Sequence, residues 1–347
     1  MSILNIRTAI ALILTGAFIS AQCILTSCHS NDSHTPFVAA DSDNIAPIHI
    51  MRLDKDIETY SICGKDGRDS IIANDYAQLQ GYALVVEGSD SIDERRMMFW
   101  STWPATTMFM PEVNRLYDNL VPEEQAIGLI LETARLNDLS LPADKFVAVT
   151  WGDSHSIIIM EDKETAYIAL NHYLGSLNEA YNGWPEYKRK LKTRDMIPVD
   201  VAEALVATAY PYEPPDATVL SRLLYEGVLT VAKQVLVPDA PLNLIMGFTA
   251  DELQQIANNE ARIRQQLVRD NRLYSTDEEL LSNLFDARPA STVISPDAPG
   301  RAARYTGYKI VQSYLDKHPQ TTLRDLLSPS FYGNPVAILR DSGYTFN

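Results

Sequence analysis

The chain has 347 residues, 46% of them apolar, and carries 29 Lys and Arg against 45 Asp and Glu, a formal net charge of −16. An acidic balance of this size argues against nucleic acid as a partner and against broad adsorption to anionic lipid. The length suffices for one large domain or two packed subdomains.

Arg7 is the only charge before Asp32, and the run from Thr8 to Ser27 carries none. A basic start, an apolar run and small residues before a cut describe an export signal. Gln22 and several Ser and Thr dilute the run relative to a membrane-spanning helix. The run ends in Leu25-Thr26-Ser27-Cys28, which resembles the lipobox of bacterial lipoproteins. That resemblance implies a signal peptide over 1–27, cleavage before Cys28 and acylation of the Cys28 thiol and new amino terminus. Two or three acyl chains anchor stably where a single one holds marginally. The expected location is therefore a bacterial membrane, facing the periplasm, with the bilayer reached through acylated Cys28. Cys23 leaves with the signal, so Cys63 is the only remaining thiol and no internal disulfide can form. No His lies near Cys63 in sequence, and it reads as a small core or turn residue rather than a nucleophile.

Residues 28–44 have the Ser, Asn, Asp, Thr and Pro content of a flexible tether. Folded sequence is expected from Ile48-His49-Ile50-Met51-Arg52-Leu53-Asp54, a strand running into a helix. Pro122-Glu123-Glu124 opens a helix, with Pro in the first turn, acids at the positive end and Ile127, Ile130, Leu131 and Ala134 on one face. Phe146 to Trp151 and Ile157 to Met160, joined by Gly152-Asp153-Ser154-His155, read as a β-hairpin, with Tyr167 to Leu170 a further strand of the same sheet.

From Asp195 the pattern turns helical. A helix from Pro198 carries Val199, Ala202, Leu205, Val206 and Ala209 inward, and Pro211, Pro214 and Pro215 stop it. A second follows with Leu220, Leu223, Leu224, Val228, Val231 and Val235. Thr249-Ala250-Asp251-Glu252 and Thr276-Asp277-Glu278-Glu279 both read as capping boxes. The last long helix is expected over Arg301 to Leu315. The chain should thus be α+β and mainly helical: a mixed N-terminal subdomain over 45–195, then a helical C-terminal subdomain over 196–347, packed as one unit.

No G-x-S-x-G elbow, dinucleotide fingerprint or Walker loop occurs, and Ser154-His155 reads as a polar turn. The six histidines include no pair at i, i+4, and no calcium loop is present, so no cofactor or metal is expected. One frame does resemble a metal centre. Gluzincin peptidases place H-E-x-x-H on one helix and a third ligand, Glu, on a later one; here the matching positions are Ala202-Glu203-Ala204-Leu205-Val206 and Tyr225-Glu226-Gly227. The resemblance implies a zincin-like body in which Glu203 keeps the general-base position and Glu226 the ligand position. Ala202 and Val206 replace both imidazoles. Zinc needs three protein ligands to hold it beside a water, so this frame is expected to be non-catalytic, a pseudo-peptidase, with both glutamates buried, capping or surface charges.

Further segments run in the order of a known family: Ile50 to Asp54, Leu170-Asn171-His172-Tyr173-Leu174-Gly175, Leu224-Tyr225-Glu226-Gly227, the helix-rich Phe248 to Leu284, Pro299 to Tyr314, and Ile338 to Tyr344. Together they resemble the gliding-motility lipoprotein GldB family. The resemblance implies an envelope lipoprotein of the gliding machinery or its associated secretion apparatus, partnered by other envelope proteins, with no established enzymatic reaction. Two alternatives stay open. A divergent metallopeptidase-like hydrolase would draw ligands from elsewhere, such as His155 or His172. A glycan- or peptide-binding lipoprotein would need an open groove of exposed Trp or Tyr. Arg301, Arg304, Tyr305 and Tyr308 gather cations and aromatics as an interaction patch would, although ordinary helix packing explains them as well. Trp100, Trp103, Trp151 and Trp184 are expected in the core.

Overall fold

The computed structural model describes residues 37–42, 45 and 48–346. The expected signal peptide, Cys28 as the expected site of acylation and most of the expected tether lie outside the described residues. Thr35–Asn347 forms one compact unit.

The architecture is α+β and mainly helical. Strand β1 (Ile50–Arg52) runs directly into α1 (Leu53–Tyr60). Helices α2 (Lys65–Glu87), α3 (Glu94–Thr102), α4 (Pro104–Leu116) and α5 (Val121–Leu136) follow before β2 (Lys145–Val149), β3 (Ile157–Met160) and β4 (Thr165–Ala169). Pro122 and the acids Glu123 and Glu124 occupy the first turn of α5, as the sequence predicts.

The sheet order is β1-β2-β4-β3. β2 pairs in parallel with both β1 and β4, and β3 pairs antiparallel with β4. The hairpin expected between β2 and β3 is therefore not formed. β4 lies between them: β2 and β4 are buried on both faces over nearly their whole length, as central parallel strands are. Side chains alternate between two cores. Phe146, Ala148, Ala166 and Ile168 join the larger one, while Val147, Val149, Tyr167 and Ala169 join a smaller one with Leu53, Tyr82, Trp100 and Trp151.

After the short α6 (Glu186–Arg189) come α7 (Met196–Ala209), α8 (Val219–Leu236), α9 (Leu242–Met246), α10 (Ala250–Asn258), α11 (Glu260–Val268), α12 (Glu278–Phe285), α13 (Ala303–Lys317), α14 (Leu323–Leu327), α15 (Pro329–Tyr332) and α16 (Pro335–Ser342). α8 is buried almost all round and is the central helix, packed by α5, α7, α9 and α13 to α16. The Thr249–Glu252 capping box forms at α10. At α12 the cap is Asp277, whose carboxylate accepts from the Leu280 N–H, so the box predicted from Thr276 does not form: a single Asp cap one residue later replaces it, with Leu280 where the box would need an acid. α13 starts at Ala303 rather than Arg301, because Arg301 has a left-handed backbone (φ 66°) that no helix accommodates.

Candidate functional site

A cleft of about 870 Å³ opens between the start of β3 with the loop before it, residues 183–192, α7 and the start of α13. α7 sends Met196, Asp200, Glu203 and Ala207 to it, spacings of three or four that share one helix face. Its opposite face, including Ala202 and Val206, is wholly buried in the larger core. The four positions matched to a zincin frame in sequence are thus split: Ala202 and Val206 are core, and Glu203 alone faces the cleft.

Glu203 stands on the cleft floor, with 33% of its side chain reached by solvent. Lys233 of α8, itself 2% exposed, donates to Glu203 Oε2, and Arg304 Nη2 of α13 lies 3.8 Å from Oε1. Burial pushes the Glu203 carboxyl up, but Lys233 and Arg304 outweigh it and hold the group well below the usual carboxylate range. Glu226 is enclosed, 2% exposed, between Arg304 Nε at 2.7 Å and Arg222 Nη2 at 2.6 Å. Arg304 also donates to the Met246 carbonyl at 3.2 Å. Burial disfavours the Arg304 cation, yet Glu226 and Glu203 hold its proton more firmly than usual.

At the other wall, Lys192 donates to Ser156 Oγ at 2.6 Å and lies 3.2 Å from His172 Nδ1. His172 Nε2 is 3.0 Å from the Asp153 carbonyl, which can only accept, so Nε2 carries the hydrogen and Nδ1 is an acceptor. Burial and the Lys192 charge push the His172 imidazole down to about 3, which keeps it neutral. Burial likewise lowers the Lys192 ammonium. Asp200 accepts from the Tyr173 hydroxyl at 2.8 Å, and its carboxyl is raised to about 6, chiefly by burial. Arg301 lines the cleft with no hydrogen bond or ion pair to its guanidinium, its Nε fully buried, and its cation is disfavoured by burial and then by Arg304. Trp184 packs edge-on to His172 on the same wall.

Arg301, Arg304, Tyr305 and Tyr308 do not form one exposed patch. Arg301 and Arg304 face the cleft, whereas Tyr308 is buried among core residues and Tyr305 packs half-buried against that core. His155 is exposed and bonded to Asp153, and Cys63 is a half-buried free thiol. Trp100 and Trp151 are core, as expected; Trp103 and Trp184 are half-buried. Among the described residues, no group of three His, Cys, Asp or Glu side chains is placed to hold an ion.

Lys192, Lys233, Asp200 and Ser156 escape a motif-based reading. A signal for Lys233 exists: it lies seven residues after Glu226, hence on the same side of an otherwise apolar helix, and a Lys there needs an acid opposite.

A model of the gliding motility protein GldB family matches residues 38–346, nearly the whole chain. No curated protein and no solved structure matches it.

Proposed function

The chain belongs to the GldB family of gliding-motility proteins, and from that membership we propose that it is a membrane-anchored envelope lipoprotein whose body binds and scaffolds rather than catalyses. Its frame is a zincin-like one in which the protein's own cations have taken the place of a metal. The observation that carries this reading is the pairing of Lys233 and Arg304 with Glu203 and Glu226. A divalent ion would have to approach an ammonium and a guanidinium in a low-dielectric site, and would find at most two carboxylates, neither free. Zinc needs three protein ligands before it acidifies a water. Without that water Glu203 has no proton to take, and its suppressed basicity makes it a poor acceptor in any case.

The test is zinc content. Full-length protein equilibrated with excess zinc and then desalted should retain no stoichiometric metal, and Glu203→Gln should complement a deletion strain as well as wild type. One zinc per chain, lost in Glu203→Gln together with complementation, would overturn the reading.

A further inference from the structure

The cleft has a charge that the rest of the molecule lacks. Inside the cleft four cations, Lys192, Lys233, Arg301 and Arg304, face two carboxylates, Asp200 and Glu203, with Lys188 on the exposed rim, in a chain whose formal net charge is −16. Behind them Glu226, shared by Arg304 and Arg222, adds one negative charge and Arg222 one positive, which leaves the inner excess of two unchanged. The excess of two positive charges has an identifiable origin. Lys233 and Arg304 are taken by Glu203 and Glu226, whereas Lys192 donates only to the neutral Ser156 and His172, and the Arg301 guanidinium makes no hydrogen bond. Two cations near the amino end of a 15-residue helix, α13, also oppose its dipole, an arrangement that costs stability unless an anion joins them.

We infer that this cleft is a receptor for a phosphate monoester, gripped directly by Lys192 and Arg301 over the fixed field of Lys233 and Arg304. A phosphate monoester carries about −1.5 to −2 at neutral pH, which matches an excess of two better than a carboxylate's single charge does. The guanidinium fork of Arg301 suits its oxygens, and Ser156 Oγ stands beside Lys192 as a further donor. The apolar wall of Trp184, Leu191 and Leu244 gives the organic body of such a ligand a surface to cover. This inference deepens the binding role proposed above and rests on it only in treating the cleft as a binding site.

The probe is phenyl phosphate, titrated calorimetrically into full-length protein in detergent. Saturable binding to one site is expected, displaced by inorganic phosphate and unaffected by benzyl alcohol. Lys192→Gln and Arg301→Gln should each weaken it about tenfold or more, the loss expected for one charge-assisted hydrogen bond, while Lys145→Gln, at an exposed lysine outside the cleft, should not. Melting curves verify that each variant folds, and the competition arm needs no variant. A short-chain phosphatidic acid that displaces the probe better than inorganic phosphate would assign the ligand to a lipid head group; equal displacement would assign it to a soluble phosphate. No binding by wild type, binding equal in both variants, or displacement by benzyl alcohol would overturn the inference. None of these outcomes bears on zinc content, so the two proposals fail separately.

Discussion

Glu226 receives two guanidiniums, Arg222 from one turn earlier on its own helix and Arg304 from the facing one. Burying such a group is costly, and the cost is recovered only while all partners are charged and in place. Glu226→Gln keeps the shape and removes the charge, leaving the buried Arg304 guanidinium with half of its compensation gone. It should lower the unfolding free energy by about 3–5 kcal/mol, the usual size of breaking a buried pair from one side. Arg304→Met should cost a similar amount, and the double variant should cost less than the two singles added. Urea denaturation of the three proteins measures this. A change under about 1 kcal/mol in Glu226→Gln, typical of a surface pair, would show that the charge is not buried.

The pairing of Glu226 with Arg304 depends on how closely α8 approaches α13, and two glycines set that distance. A Cβ on Gly227 would overlap the Gly307 carbonyl, and one on Gly307 would overlap the Leu223 carbonyl. The obstacle is backbone in both cases, so no side chain can rotate out of the way. Gly→Ala in an unobstructed helix gains up to about 1 kcal/mol in propensity. Overpacking costs about 1–3 kcal/mol and exceeds it here. Gly307→Ala and Gly227→Ala should therefore both lower the urea midpoint, and an unchanged or raised midpoint in either would contradict the crossing. At this scale the sequence is partly legible. The faces of α7 and α8, the stop at Pro211 and the Thr249–Glu252 box all follow from local periodicity and caps. The placement of β4 between β2 and β3 does not, since each is a short apolar run and their pairing is settled by which layers cover them. The cleft was half visible for the same reason. Glu203 and Glu226 sit in a recognisable frame, but Lys233, Arg304 and Lys192 complete it from other elements, and spacing within one helix says nothing of what faces it.

Over the whole molecule, the charge distribution decides how the body can be held to a membrane. The outer surface must carry the acidic excess, because the positive charges of the cleft are largely enclosed. Each basic residue near an anionic leaflet contributes about 1 kcal/mol of attraction, and acids give nothing of the kind. No helix of the described residues is long and apolar enough to cross a membrane. Under the proposed lipoprotein reading, attachment rests on acylation of Cys28, where two or three chains give stable anchoring. Replacing residues 1–28 with an ordinary secretory signal cleaved before His29 should release the entire exported pool into the soluble fraction, and Cys28→Ser in the native chain should abolish labelling by a fatty-acid analogue. The released body should keep its fold, shown by an unchanged urea midpoint, because among the described residues both cores are built from Phe37 onward. A body still pelleting with membranes after a high-salt wash would mean that the folded surface itself binds lipid or an integral partner.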